Sequence, residues 1–317
     1  MREQIIDVEV KNLVKSYREL LAIDHLSLSI ERGEIFGLLG PNGSGKTTLI
    51  NCILALLSYD QGEVNIFGKA MTAKSYDIKQ QIGLVPQEIS VYEELTVFDN
   101  IDYFCGLYID DKKERLQRVK EAIDFVQLNE FVKFHPKKLS GGLKRRLNLA
   151  CGICHRPRLL FLDEPTVAVD PQSRNRILEG IKQLRDDGTT IVYTTHYMEE
   201  VEYLCDRLAI LDHGKILVTG TTEEILSMSS ISESMEIVAY DLPDFILNQL
   251  QNNSAVDSLS YRDGKLNIAL RQGDNMLIPV LELLADSDIE PVSISRRKPT
   301  LNDVFLEITG KELRDNA

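Results

Sequence analysis

The sequence lacks any run approaching about 18 apolar residues, which argues against a membrane-spanning helix in the chain. The first residues, Met1 to Lys11, carry acidic side chains and no apolar segment, so we do not expect a secretory signal there. Cationic residues are the minority, since 36 Lys and Arg stand against 49 Asp and Glu, giving a net charge of −13. This balance argues against a nucleic-acid binder, although it does not exclude a local basic patch.

Cysteine is also sparse, with five residues scattered along the chain. This usage predicts no disulfide framework and favours a reducing compartment. Cys151 and Cys154 form a C-x-x-C pair. We interpret them as small buried residues one helical turn apart, because no second Cys or His pair lies at zinc spacing.

The chain does contain a clear alternation of short apolar strands and helical patterns over its first 220 residues. That alternation predicts an α/β domain with a largely parallel sheet. Apolar residues recur at helical spacing between Glu88 and Arg156, so we expect an inserted helical subdomain at about residues 88–156. A Ser-rich stretch at 227–234 predicts a linker, dividing the chain into domains 1–227 and 235–317. The second domain has the order β-α-β-β-α-β, which predicts a small α+β ferredoxin-like fold.

A glycine-rich loop joins a predicted strand, Ile35–Leu39, to a predicted helix, Lys46–Leu57. It matches the phosphate-loop pattern G-x-x-x-x-G-K-[ST] in the strand–loop–helix context that the pattern requires. Glycines let backbone N–H groups approach phosphates closely, and the helix N-terminus favours negative charge. Lys46 is predicted to hold the β- and γ-phosphates and Thr47 to bind Mg²⁺. The residues predicted to bind ATP here are Gly40, Pro41, Asn42, Gly43, Ser44, Gly45, Lys46, Thr47 and Thr48.

Two adjacent carboxylates follow the apolar strand Leu159–Leu162. Asp163 is predicted to hold Mg²⁺, directly or through water, as the second part of a phosphate-loop site. Glu164 is predicted to act as the general base that polarises the attacking water. The pair gains its meaning from the phosphate loop, because acidic residues after a strand are common.

A second glycine-containing turn, Ser140-Gly141-Gly142, opens another predicted helix. Ser140 stands at the N-cap position, and the glycines expose backbone N–H groups that can bind an anion. The alternative interpretation is an ordinary turn followed by a cationic helix.

Together these motifs resemble the nucleotide-binding subunit of the ABC transporter family over about residues 5–225, and the segment from Leu139 to Gly142 is similar to its L-S-G-G-Q signature. The resemblance implies a RecA-like P-loop NTPase core with an inserted helical subdomain, and ATP and Mg²⁺ as ligands. It also implies a head-to-tail dimer. Ser140, Gly141 and Gly142 would then contact the nucleotide bound by the other subunit.

The resemblance implies roles for four further residues. Tyr17 matches the aromatic residue that stacks on adenine, and Gln87 matches the glutamine that senses Mg²⁺ and the attacking water. Asp170 matches the acidic residue that bridges two subunits, and His196 matches the histidine that contacts the γ-phosphate. The alternatives are a surface tyrosine, a loop glutamine and a structural histidine. The expected catalytic residues are Lys46, Gln87, Glu164 and His196, and the expected Mg²⁺ ligands are Thr47, Gln87 and Asp163.

Two features depart from the common family pattern. Leu143 stands where many members have Gln, and Val169 precedes Asp170 where Leu is frequent. An aliphatic residue followed by Lys-Arg-Arg resembles a branch of bacterial exporters of drugs, antibiotics and sodium. The segment Pro299 to Leu306 resembles the closing segment of their ATPase subunits, although an amphipathic capping helix is the alternative.

The sequence therefore predicts an ATPase subunit that powers export of a drug, antibiotic, lipid-like compound or ion through a separate membrane permease. We expect it to act as a homodimer, with a heterodimer as the alternative, on the cytoplasmic face of the cell membrane. No nucleic acid is expected as a partner. A soluble ABC ATPase and an importer subunit are the rival interpretations.

Overall fold

The computed structural model describes residues 5–167, 169–229, 231–240, 242–271, 276–287 and 289–309. Ala168, Ser230 of the predicted linker, the first four residues and residues 310–317 of the predicted second domain lie outside this range. The described chain divides into two compact units, the first ending at Thr222 and the second beginning at Glu223.

The first unit contains two sheets. Its strands are β1 Ile6–Tyr17, β2 Leu20–Glu31, β3 Ile35–Leu39, β4 Gln61–Ile66, β5 Lys69–Ala70, β6 Ile82–Val85, β7 Leu159–Asp163, β8 Thr190–Thr195, β9 Arg207–Asp212 and β10 Lys215–Gly220. One sheet has the order β2-β1-β4-β5 and is antiparallel. The other has the order β10-β9-β3-β8-β7-β6 and is parallel except for the edge strand β10.

The helices of this unit are α1 Lys46–Ile53, α2 Tyr76–Lys79, α3 Val97–Gly106, α4 Lys112–Phe125, α5 Gly141–Ile153, α6 Pro171–Asp186 and α7 Met198–Leu204. Helices α3 to α5 form the helical insertion between β6 and β7. Thr96 and Asp99 form a capping box at the start of α3.

The parallel strands are buried on both faces, as continuous apolar runs require. Leu160 and Leu162 of β7 pack into the cluster that includes the helical insertion. Phe161, which points to the opposite face, packs into the cluster formed with α1 and the antiparallel sheet. The two clusters fix the carboxyl ends of β3, β7 and β8, where the candidate site lies.

The second unit begins within α8 Thr222–Leu226 and contains β11 Ile231–Val238, α9 Asp244–Gln251, β12 Val256–Arg262, β13 Lys265–Arg271, α10 Leu277–Asp286, β14 Ser293–Arg297 and α11 Leu301–Thr309. Its strands form one antiparallel sheet in the order β12-β13-β11-β14. This order and the sequence β-α-β-β-α-β agree with the expected ferredoxin-like fold.

Two sequence expectations differ from the structure. Helix α1 was expected to extend to Leu57 but ends at Ile53, because Ala55 adopts a left-handed backbone conformation with φ 49°. The stretch 227–234 was expected as a linker, but β11 already begins at Ile231, where it pairs with β13.

Candidate functional site

The loop between β3 and α1 has the conformation that its glycines permit. Gly45 has φ 110°, and a Cβ there would lie 2.8 Å from the Ala22 carbonyl oxygen. A Cβ on Gly40 would lie 2.2 Å from the Leu211 carbonyl oxygen. Only glycine therefore fits these two positions without backbone movement.

Lys46 begins α1 and is buried, with 6 % of its surface exposed. Its Nζ donates to the Gly40 carbonyl at 2.8 Å and the Pro41 carbonyl at 3.2 Å, and lies 3.4 Å from Glu164 Oε1. Burial lowers the pKa of Lys46, and the charges of Glu164 and Asp163 limit the shift. The ammonium group is thus held against two carbonyls of the loop and beside the Glu164 carboxylate.

Ser44, in the same loop, is also buried. Its hydroxyl oxygen has no hydrogen-bond partner among the described residues. A buried hydroxyl left in this way fits a site whose missing partner is a phosphate oxygen. The loop also contains a backbone turn, in which the Ser44 N–H donates to the Pro41 carbonyl at 3.1 Å. Asn42 and Gly43, within this turn, are exposed.

Thr47 and Asp163 meet although they are 116 residues apart. The Thr47 hydroxyl donates to Asp163 Oδ2 at 2.8 Å, and the Thr194 hydroxyl donates to Asp163 Oδ1 at 2.5 Å. These contacts place a hydroxyl and a carboxylate, both hard oxygen ligands, beside the phosphate loop. A pair of oxygen ligands of this kind suits Mg²⁺, which takes few protein ligands and keeps water or substrate oxygens. The described residues contain no group of three or more His, Cys, Asp or Glu that could hold a metal.

Glu164 follows β7 in a left-handed conformation with φ 48°, which is costly for a residue with a side chain. Its N–H donates to both the carbonyl and the hydroxyl oxygen of Thr194, each at 3.1 Å, and these bonds hold the turn. Gln87 Nε2 donates to Glu164 Oε2 at 3.1 Å. The carboxylate is therefore buried and its direction is fixed from both ends.

His196 lies on the other side of the same carboxylate, with Nδ1 3.5 Å from Glu164 Oε1. Burial by itself raises the pKa of Glu164, but the interactions with His196 and Lys46 outweigh it, so that the pKa lies below its ordinary value. Glu164 is consequently ionised at neutral pH, as a general base must be. The structure thus brings together the predicted residues Lys46, Thr47, Gln87, Asp163, Glu164 and His196.

The turn Ser140-Gly141-Gly142, which we call the signature turn, forms a second cluster with Asp170. The Ser140 hydroxyl accepts from the Leu143 N–H at 3.3 Å and caps α5. Asp170 Oδ1 accepts from the Ser173 N–H at 2.9 Å and caps α6, and this bond lowers the pKa of Asp170. A Cβ on Gly142 would lie 3.2 Å from Asp170 Oδ2, so the two helix N-termini are adjacent. We call the exposed residues Ser140, Gly141 and Asp170 the signature patch.

Tyr17 ends β1 and is 46 % exposed. The Lys15 ammonium lies 5.2 Å from the centre of its ring, within cation–π distance. The ring has no aromatic partner among the described residues, and an exposed π face is free to stack on a base.

Sequence reasoning missed two side chains that hold the Gln87 loop. The Arg145 guanidinium, in the signature helix α5, donates to the main-chain carbonyl of Gln87. Asn148, one turn further along, accepts from the Ser90 N–H at 3.1 Å and donates to the Pro86 carbonyl at 3.3 Å. The Lys-Arg-Arg run after the signature turn predicts cationic side chains at the start of α5. It does not indicate that one of them binds the main-chain carbonyl of Gln87.

The fold and the site define a class, a phosphate-loop ATPase with a helical insertion and a second glycine turn. A model of the ABC transporter family matches residues 23–167. The linearmycin resistance ATP-binding protein LnrL of Bacillus subtilis is 36 % identical over 311 residues, which cover 97 % of this chain and 100 % of that protein. The daunorubicin/doxorubicin resistance ATP-binding protein DrrA of Streptomyces peucetius is 33 % identical over 312 residues, covering 98 % and 94 %.

The fold comparison agrees. The dimeric structure of a post-hydrolysis state of the ATP-binding cassette MJ0796, bound to ADP and Pi, superimposes with a TM-score of 0.63 and 27 % identity. The match covers 68 % of this chain and 98 % of that one. The chain belongs to the ABC transporter family and is an ATP-binding cassette ATPase, in the branch of the resistance ATP-binding proteins above. A soluble ABC ATPase and an importer subunit are not favoured by these relatives.

No helix among the described residues is long and apolar enough to cross a bilayer.

Proposed function

We propose that the chain hydrolyses ATP·Mg²⁺ between two ATPase subunits and thereby powers export through a separate membrane permease. The observation that carries this proposal is the division of the site into two clusters. The buried cluster around Lys46 and Glu164 supplies the phosphate loop and the base, while the signature patch supplies two exposed helix N-termini. Helix N-termini favour anions, so the patch suits a phosphate carried by another subunit.

The residues around Lys46 and Glu164 have separate tasks. Lys46 exchanges its carbonyl and Glu164 contacts for the β- and γ-phosphate oxygens of ATP. Glu164 then takes a proton from the attacking water as that oxygen bonds to the γ-phosphorus and the bond to ADP breaks. Gln87 and His196 orient the water and the γ-phosphate from either side of the carboxylate. Positioning and charge stabilisation of this kind dominate phosphoryl transfer.

Thr47 and Asp163 would hold the Mg²⁺. When bound, the ion neutralises charge on the β- and γ-phosphate oxygens. The hydrogen bond between the two side chains already brings their oxygens to the same place.

Mixing two inactive variants tests whether the sites are shared between subunits. Lys46→Ala removes the phosphate-loop cation, and Ser140→Glu places a negative charge on the signature patch. In a shared arrangement, a dimer of one variant with the other retains one intact site, so mixing restores part of the ATPase activity. The matched control mixes Lys46→Ala with Glu164→Gln, where both defects affect the buried cluster and neither site is intact. Activity that stays absent in the first mixture, while an affinity tag on one variant recovers the untagged other variant, would contradict the shared site.

The proposal of export rests on the two relatives that are named for resistance and on a third that is named for export. This third relative is the Nod factor export ATP-binding protein I of Sinorhizobium fredii. It is 33 % identical over 313 residues, which cover 98 % of this chain and 88 % of that protein. We propose a drug, antibiotic, lipid-like compound or ion as cargo, a homodimer as the ATPase pair, and a location on the cytoplasmic face of the membrane through the permease. Affinity purification of the chain from detergent-solubilised membranes should recover a multi-span membrane protein. Recovery of ribosomes or nucleic acid in its place would favour a soluble ABC ATPase.

A further inference from the structure

One carboxylate lies buried behind the candidate site and has no part in the chemistry above. Glu200, in α7, is 3 % exposed. Its Oε2 accepts hydrogen bonds from the hydroxyls of Thr166 at 3.0 Å, Tyr193 at 2.7 Å and Thr195 at 3.0 Å. Arg174 Nε lies 3.4 Å from its Oε1. A buried charge requires such compensation, and here four side chains from three different segments provide it.

Two of these segments carry proposed catalytic residues. Thr195 directly precedes His196, and its hydroxyl also accepts from the Tyr197 N–H at 3.0 Å. The residues on both sides of His196 are therefore linked to one hydroxyl, which Glu200 holds. Thr166 lies two residues after Glu164, within the turn whose strained backbone directs the base.

The third segment is the start of α6. The Arg174 N–H donates to the Asp170 carbonyl at 2.9 Å, so Arg174 lies one turn after the signature-patch residue. Its guanidinium also stacks over the Tyr197 ring at 4.6 Å. The Glu200 carboxylate is thus the common partner of the Glu164 turn, the His196 turn and the Asp170 end of α6.

We propose that Glu200 is a positioning residue for ATP hydrolysis, which keeps these three segments in fixed relation through its negative charge. The proposal rests on the proposed function, because the roles of Glu164, His196 and Asp170 are proposed there. A buried charge contributes little net stability compared with a well-packed neutral side chain. Its main effect is therefore expected on geometry, and so on turnover more than on ATP binding.

The first test compares Glu200→Gln with Glu199→Gln in the purified full-length chain. Glu199 is the preceding residue of the same helix and is exposed, so both changes remove one charge from α7. We expect Glu200→Gln to lower kcat at least tenfold with a change in KM for ATP below threefold. Glu199→Gln should stay within twofold of the natural protein. A kcat of Glu200→Gln within twofold of the natural value would overturn the proposal.

The second test separates positioning from packing at Thr166, which is fully buried. Thr166→Val keeps the shape and removes the hydroxyl, whereas Thr166→Ser keeps the hydroxyl and removes a methyl group. We expect Thr166→Val to lower kcat and Thr166→Ser to retain it, whatever their order in Tm. The double variant Thr166→Val with Glu200→Gln should have a kcat within twofold of that of Glu200→Gln alone, because both changes break the same hydrogen bond. Equal loss of kcat in both Thr166 variants, or additive losses in the double variant, would show a packing role.

Glu164→Gln, measured in parallel, distinguishes failure of the proposed function from failure of the positioning role of Glu200. If it turns over ATP normally, the proposed role of Glu164 fails and the positioning role falls with it. If it is inactive while Glu200→Gln is normal, only the positioning role fails.

Discussion

Lys46 and Tyr17 are both proposed to bind ATP, yet they belong to regions of very different construction. Lys46 is 6 % exposed, and its ammonium already contacts two carbonyls and a carboxylate. Tyr17 is 46 % exposed, and the Lys15 ammonium lies 5.2 Å from the centre of its ring. The first region is organised before any ligand is bound, whereas the ring in the second region is open to solvent.

This difference has a physical consequence for substitutions. In the buried region each side chain compensates the charge or the hydrogen bonds of another, so removing one leaves its partners unsatisfied. In the exposed region water replaces a lost contact at small cost. Effects on activity should therefore decrease from the buried to the exposed residues, and the following predictions test that order.

Lys46→Ala is expected to have the largest effect. It removes the cation proposed for the phosphates and leaves the buried Glu164 carboxylate with less compensation. We expect a loss of at least about 10²-fold in kcat/KM, the usual cost of removing a donor that stabilises developing charge, together with weaker ATP binding. Steady-state ATPase assays and equilibrium dialysis measure the two effects. Lys69→Ala serves as the control, because Lys69 forms an exposed ion pair with Asp77 and should stay near the natural value.

Glu164→Gln should come next and should separate binding from chemistry. The amide keeps the shape but cannot take a proton, so kcat should fall by about 10²- to 10⁴-fold while the Kd for ATP changes little. A variant that retains normal turnover would remove Glu164 from its proposed role. A comparable loss of ATP affinity would instead show that the carboxylate serves mainly to hold the loop.

The same variant gives a pH test of how the buried region is held together. The pKa of Glu164 in the folded chain lies below the ordinary value of 4.5, so its ionised form stabilises the fold. That contribution is complete well above pH 4.5 and is lost as the pH falls through the folded-state pKa. The free energy of unfolding of the natural protein, relative to Glu164→Gln, should therefore be constant near neutral pH and decrease below pH 4.5. Urea unfolding at a series of pH values measures this difference, and an increase on acidification would contradict the assigned shift.

Local patterns in the sequence predict the framework of the buried region well. The bounds of β3 and the start of α1 follow from an apolar run, glycine and the phosphate-loop spacing. Element ends without such signals were wrong. The stretch 227–234, for example, was expected as a linker, but β11 already begins at Ile231 and pairs with β13.

Long-range polar contacts were beyond the sequence patterns. Arg145 reaches Gln87 across 58 residues, and Thr166 reaches Glu200 across 34. Neither pair has a characteristic spacing, because the contacts arise only when separate segments pack together. Motifs therefore locate the residues proposed to touch ATP, and the structure is needed for the side chains that position them.

Tyr17→Ala should have the smallest effect of the series and decides whether the exposed region follows the proposed order. Stacking of a base on an aromatic ring contributes about 1–3 kcal/mol, so the Kd for ATP should rise by about tenfold with little change in kcat at saturating ATP. Tyr17→Phe keeps the ring and should bind ATP normally, and Tyr76→Ala, at a 69 % exposed tyrosine, controls for loss of a surface ring. Binding of inorganic triphosphate should be the same in all three variants, because that ligand has no base to stack. If Tyr17→Ala instead lowers kcat as strongly as Glu164→Gln, then burial does not set the order of effects, and the ring acts on the geometry of the buried region.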